Sequence, residues 1–192
     1  MEIDRAVRAI HDGGLVVYPT ETVYGLGADA LDPAAVERVY EAKGRNRSKP
    51  LSMAVPEVES AAQYTHLTER ERRFIEEFLP GPVTAIVAAG PDVPEELTAG
   101  RDRVGIRIPD HELALALLDE AAPITATSAN VSGRPSVRRA DALDPEIREA
   151  ATQVLDGGET GGTESTVVDV ERGVIHRRGT LAEEIEGWLE AQ

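Results

Sequence analysis

Short apolar runs alternate with helix-patterned segments through the first two-thirds of the chain, and this alternation constrains the fold more than any other feature. Ile3, Val7 and Ile10 recur at helical spacing and give way to Gly13-Gly14, which ends a helix over residues 2–12. The run Leu15-Val16-Val17-Tyr18 reads as a strand stopped by Pro19. Asp32-Pro33 supplies an N-cap and a proline at the first helical position, and the helix through Val36, Val39 and Tyr40 ends near Gly44. Residues 51–55, 83–88, 104–108 and 124–127 are further strands. Between them, Thr68 and Glu71 form a capping box opening a helix that ends at Pro80-Gly81-Pro82, and residues 112–121 make another helix. An acidic helix near residues 144–151 is followed by a flexible link over 157–162. Strands 165–170 and 174–177 then form a hairpin across Glu171-Arg172-Gly173, and residues 181–189 make a closing amphipathic helix. Alternation with a late hairpin predicts a single α/β domain over residues 1–192, built on a twisted mixed β-sheet with flanking helices.

Hydrophobic residues make up 41% of the 192, enough for a core, and no window approaches the apolar length of a membrane span. The N-terminus lacks the apolar run of a signal peptide, and a cytoplasmic protein without membrane attachment is expected. With no cysteine, disulfides, thiolate metal sites and cysteine nucleophiles are excluded. Thirty-five acids face twenty bases for a formal charge of -15, and only two of those bases are lysines. An acid-rich, lysine-poor surface suits high salt, where carboxylates keep a protein hydrated while screening weakens their repulsion; a halophilic source is expected, an ordinary acidic protein being the alternative. Net charge of this sign works against general nucleic-acid binding, so any RNA contact requires a local basic patch.

Both lysines, Lys43 and Lys49, fall within KGRNRSK, together with Arg45 and Arg47. Close cations repel one another by roughly several tenths of a kcal/mol per pair unless an anion relieves them. The segment reads as an anion site, or as a helix C-terminus whose cations complement the macrodipole. In PTETVYGLGADA, Gly25 and Gly27 permit positive φ and close backbone approach beside Thr20 and Thr22; an ordinary strand-to-turn junction reads equally well, and no Walker loop is present. TATSANVSGRPS crowds Thr127, Ser128, Asn130, Ser132 and Ser136 after an apolar strand, where α/β sheets collect ligands. Arg103 and Arg107 share one face of the strand VGIRIP, either toward solvent or as a ligand clamp. The tail adds Ser165, Arg177 and Arg178. The four histidines are scattered without metal-ligand spacing, and Ser165 lies in no nucleophile elbow. This inventory of Lys, Arg, Thr, Ser and Asn suits reactions run by positioning and charge neutralisation, phosphoryl and nucleotidyl transfer above all.

YPTETVYGLGADA, KGRNRSKPLSM, PGPVTAIV, VGIRIPDH, TATSANVSGRPS, ESTVVDV and HRRG occur in the order seen in the YrdC-like family, and the chain resembles it over roughly residues 10–180. The resemblance implies a single α/β domain whose sheet lines a concave, positively charged cavity. It implies an L-threonylcarbamoyladenylate synthase, a nucleotidyltransferase that joins L-threonine, bicarbonate and ATP, with Mg²⁺ accompanying the nucleotide, and releases pyrophosphate. A separate tRNA-modifying transferase complex then uses the product. On the matching motifs, Lys43 and Arg45 would be catalytic, neutralising charge on the phosphates. Thr22, Arg107, Ser128 and Ser165 would hold the threonine, and Arg45, Lys49, Arg103, Asn130, Arg138 and Arg177 the nucleotide; the family varies at Lys49, Arg103 and Arg138. Ala54 stands where longer members often carry a histidine against the threonine, and their linker and C-terminal domain are expected to be missing. A YrdC-like RNA-binding maturation factor and a threonine-independent nucleotide hydrolase are the alternative readings.

Overall fold

A computed structural model of the chain describes residues 1–191. Its first third contains α1 (Glu2–His11), β1 (Val16–Tyr18), β2 (Gly25–Gly27), α2 (Pro33–Lys43), β3 (Ser52–Ala54) and α3 (Val58–Tyr64). The middle contains β4 (Thr65–His66), α4 (Glu69–Phe78), β5 (Val83–Ala89), α5 (Glu95–Thr98), β6 (Arg103–Arg107), α6 (Glu112–Ala121) and β7 (Ile124–Ala126). After a 3₁₀ turn at Ala140–Ala142 come α7 (Pro145–Ala150), β8 (Gln153–Val154), β9 (Thr166–Asp169), β10 (Val174–Arg177) and α8 (Ala182–Glu190).

The local signals act as expected. Asp32 caps α2 by accepting from Ala34 N at 2.9 Å, and Gly44 ends that helix in the left-handed region at φ 55°. At α4, Thr68 Oγ1 accepts from Glu71 N at 3.2 Å while Glu71 Oε2 accepts from Thr68 N at 2.9 Å, completing the capping box. β9 and β10 pair antiparallel as the late hairpin.

Strand order is what alternation leaves open. One sheet runs β10-β9-β5-β6-β3-β7, with β4 also on β5; the other runs β2-β1-β8. Pairing is mixed: β5–β9 and β3–β6 are parallel, while β5–β6 and β3–β7 are antiparallel. An irregular seam joins the two sheets, with Leu26 N donating to Thr127 O and Thr125 N to Ala28 O, both at 2.8 Å. The result is a twisted mixed sheet with flanking helices. One apolar cluster includes Leu26, Met53, Phe74, Val87 and Ile106; a second joins α1 and α6 to β1 through Val7, Ile10, Val16, Leu117 and Leu118.

Two readings of glycine change. Gly25 and Gly27 lie in extended β2, neither at positive φ. A Cβ on Gly25 would stand 2.8 Å from the Tyr18 ring, and one on Gly27 would stand 3.0 Å from it. Their bare backbone therefore makes room for an aromatic side chain of the neighbouring strand. The link over 157–162 is anchored at several points: Gly157 N donates to Tyr24 Oη at 3.0 Å, Tyr24 Oη donates to Gly158 O at 2.8 Å, and Gly162 N donates to Thr22 O at 2.6 Å.

Candidate active site

A cavity of about 870 Å³ opens on the face of the sheet where β1 leads into the turn carrying Thr20 and Thr22. Arg103, Gly105 and Arg107 of β6 line it, while the alternate residues Val104 and Ile106 enter the core. Thr22, Arg45, Arg103, Arg107, Ser128, Ser165 and Arg177 all line this cavity. Lys43, Lys49, Asn130 and Arg138 do not.

Four hydroxyls among the lining residues pair with one another. Thr20 Oγ1 and Thr22 Oγ1 share a hydrogen bond at 2.9 Å, and Thr84 Oγ1 and Ser165 Oγ share another at 3.1 Å. Arg177 donates from Nη2 to Ser165 Oγ at 2.9 Å and from Nε to Ser165 O at 3.0 Å. Its Nη1 stands 3.3 Å from Glu164 Oε2, and Glu164 Oε1 accepts from Ser136 at 2.8 Å. Arg107 is buried and ion-paired through Nη2 to Glu21, whose other oxygen accepts from Asp110 N at 2.9 Å.

The cation cluster of KGRNRSK separates into four environments. Lys43 is 2% exposed and donates from Nζ to Ser128 O and, at 2.8 Å, to Asn130 O, so it holds the loop after β7 by its backbone. Burial, reinforced by the Arg45 charge and opposed by Glu164 and Asp144, lowers its pKa to about 8. Arg45 reaches the cavity, held by Lys49 O at 3.1 Å and Pro50 O at 2.9 Å. Arg47 pairs with Glu37 at the surface. Lys49 is exposed, and its carbonyl rather than its ammonium enters the network. Neighbours in sequence diverge because α2 ends at Gly44 and the chain turns away from the helix.

Arg103 lines the cavity with both terminal nitrogens engaged by carboxylates, while its buried Nε has no hydrogen-bond partner. Nη2 donates to Glu71 at 3.2 Å, Asp169 at 3.1 Å and Ile86 O at 3.0 Å; Nη1 donates to Glu171 at 2.6 Å. Arg138 donates to Thr160 O at 3.2 Å and pairs with Glu159 at the surface. Asn130 knots its own loop through Nδ2 to Val131 O at 3.1 Å and Arg134 O at 2.8 Å. Ala54 is fully buried opposite Arg107 in the β3–β6 register and does not reach the cavity.

Glu21, Glu164 and Thr84 are site residues that motif reading passed over. Each lies inside a motif already singled out, or next to it, but a carboxylate in an acid-rich chain carries no signal of its own. Their presence changes the character of the concavity. Six arginines line it with Asp102, Glu164 and Asp169, and Arg103, Arg107 and Arg177 each meet a carboxylate. It is an ion-paired cavity of both signs rather than a uniformly basic one.

Fold and cavity together define an α/β protein whose hydroxyl and guanidinium groups converge on one side of a twisted mixed sheet. The chain belongs to the Sua5/YciO/YrdC family, whose model, described as "Telomere recombination", matches residues 8–179. It is 42% identical over 183 residues to a threonylcarbamoyl-AMP synthase of Pyrococcus abyssi, covering 92% of this chain and 54% of that protein. To a threonylcarbamoyl-AMP synthase of Bacillus subtilis it is 40% identical over 171 residues, covering 87% and 49%. The chain thus spans about half the length of these two relatives. The crystal structure of P. abyssi Sua5 complexed with L-threonine superposes with a TM-score of 0.89 at 41% identity, covering 96% of this chain and 56% of that one.

Proposed function

We propose that this protein is an L-threonylcarbamoyladenylate synthase, forming threonylcarbamoyl-AMP and pyrophosphate from L-threonine, bicarbonate and ATP. The observation that carries the reading is the convergence of Thr22, Arg107, Ser128 and Ser165 on one cavity that also receives Arg45 and Arg177. Arg107 offers a planar fork for the amino-acid carboxylate, and the hydroxyls orient the amine and side chain. The amine captures bicarbonate as a carbamate, with loss of water. A carbamate oxygen then attacks the α-phosphorus of ATP, and the bond to the β-phosphate oxygen breaks to release pyrophosphate. Arg45 and Arg177 meet developing phosphate charge, while Lys43 holds the Ser128–Asn130 backbone against the nucleotide.

Among the described residues no group of three or more acidic or histidine side chains is gathered to hold a metal. Magnesium would enter as the counter-ion that ATP brings, screening the phosphates and the departing pyrophosphate. The acyl-adenylate product is labile, which suits hand-over to a tRNA-modifying transferase complex, with any RNA contact confined to a local cationic patch. Among the described residues no helix is long and apolar enough to cross a membrane. A cytoplasmic enzyme in a salt-rich cell accounts for the charge of -15.

The test is pyrophosphate release by purified protein with ATP, bicarbonate and Mg²⁺ in several molar salt, with and without L-threonine. Release that requires threonine is expected. ATP turnover indifferent to threonine would instead identify a nucleotide hydrolase, and salt-resistant RNA binding without turnover would identify a maturation factor.

A further inference from the structure

The part-buried pair between Arg107 and Glu21 bears on which ligands the cavity accepts. Arg107 is 6% exposed and lines the cavity; Glu21, paired to its Nη2, does not line it. Glu21 is fixed from two sides. Its Oε2 accepts from Asp110 N at 2.9 Å, and a Cβ on Gly161 would come within 2.5 Å of its carbonyl, so the turn has no room to shift toward the glycine-rich segment. Gly162 N also holds Thr22 O at 2.6 Å. No other cation is bonded to Glu21, and no other carboxylate to Arg107, among the described residues. The pair is therefore a locally neutral unit, with Nη2 turned to Glu21, Nη1 within 3.5 Å of Ile108 O, and the side chain lining the cavity.

A guanidinium already neutralised still directs hydrogen bonds, but it no longer offers a carboxylate a net positive charge. A bare carboxylate entering beside it adds a negative charge near Glu21 that Arg107 no longer offsets. A zwitterion adds none, because its ammonium accompanies its carboxylate. We infer that Glu21 is a specificity-determining residue, which orients Arg107 and, by cancelling its charge, makes the cavity select α-amino acids over carboxylic acids that lack the amine. The inference rests on the reading of Arg107 as the amino-acid carboxylate site. It gives the protein a way to reject the hydroxy and keto acids of metabolism, which match threonine in size and carboxylate geometry but supply no nitrogen for the carbamate.

The experiment compares binding of L-threonine with that of 3-hydroxybutanoate of matching configuration, which is threonine without its α-amine. Affinities are measured by calorimetry on the wild-type chain and on Glu21→Gln. Glutamine keeps an oxygen for Arg107 and removes the charge. Wild type is expected to prefer threonine strongly, and E21Q to shrink that preference about tenfold, chiefly by gaining affinity for the hydroxy acid. Glu21→Asp, which retains the charge, should keep the preference. A structural role alone would weaken both ligands together, and an unchanged preference ratio in E21Q overturns the inference. Should E21Q fail to fold, equal affinity of wild type for the two ligands, or a changed preference ratio in Glu21→Asp, overturns it, and an unchanged ratio in Glu21→Asp supports it. If wild type binds neither ligand, the reading of Arg107 fails first, and the inference falls with it.

Discussion

Lys43 Nζ donates to Asn130 O across 2.8 Å, tying the last residue of α2 to the polar loop that follows β7. The same ammonium donates to Ser128 O, and Lys43 O accepts from Ser132 N at 2.8 Å, so the loop is held at three backbone points by one residue. Replacing Lys43 by Met leaves two carbonyls without their donor, at a cost of about 1–3 kcal/mol. K43M is expected to lower the melting temperature modestly and to speed amide exchange across residues 128–134. Threonine-dependent pyrophosphate release should fall with it. Loss of synthesis with unchanged exchange in that loop would assign Lys43 to the phosphates instead.

Lys43 also makes the pH dependence specific. Its pKa is about 8 in the folded protein, lowered first by burial and then by Arg45, against 10.5 for a free lysine. Between those values the unfolded chain binds more protons than the folded one, so stability should rise with pH from about 8 toward 10. Burial raises the pKa of Tyr18, which reverses the slope once free tyrosines ionise near 10. With only two lysines in the chain, the Nζ resonance of Lys43 can be followed by NMR. A midpoint above 10 would contradict this.

Arg107→Ala should abolish threonine-induced thermal stabilisation, an affinity loss of about 2–5 kcal/mol, because it removes the fork and leaves Glu21 unpaired. ATP-induced stabilisation should survive. Threonine binding untouched by R107A would remove Arg107 from the amino-acid site.

Arg103 and Arg107 occupy one face of β6, yet substitution should separate them. Glu71 and Asp169 are each 1% exposed, and Arg103 is the cation bonded to both. Arg103→Gln leaves Glu71 without a cation and Asp169 with Arg172 alone at 3.7 Å, so a stability loss of about 3–5 kcal/mol is expected in urea unfolding. A variant of native stability with a raised KM for ATP would show that Arg103 serves the nucleotide directly.

Gly25→Ala would bring a methyl group within 2.8 Å of the Tyr18 ring, and a loss of about 1–3 kcal/mol is expected. The cost should largely vanish in a Tyr18→Leu background. Additive losses in that double-mutant cycle would mean that the ring is not what the glycine accommodates.

These contrasts mark what sequence can and cannot convey. Caps such as Asp32 and Thr68 act within a few residues, so α2 and α4 were readable from their own segments. The motifs contain the cavity-lining Thr22, Arg107, Ser128 and Ser165, which sit in the turn after β1, at the end of β6, just past β7 and just before β9. The KGRNRSK cluster does not stay together in space, since proximity in sequence ends where α2 stops and Lys43, Arg45 and Arg47 leave in different directions. Neither β2, with its two glycines, nor the two-residue β8 carries enough apolar pattern to announce a strand. Glu21 was invisible for a different reason: its role exists only once β6 is folded beside the Thr20–Thr22 turn.

β1 acquires its outer neighbour late. Val16 is paired with Gln153, and the segment that leads from β8 to β9 then threads past Tyr24 and Thr22 before Ser165 arrives. On the ribosome, the apolar Val16-Val17-Tyr18 edge therefore stays open while most of the chain is synthesised, and the pocket cannot close around it until the final quarter emerges. A nascent chain of this design depends on its chaperones, or on the mutual repulsion of its many carboxylates, to keep that edge from finding a neighbour on another polypeptide.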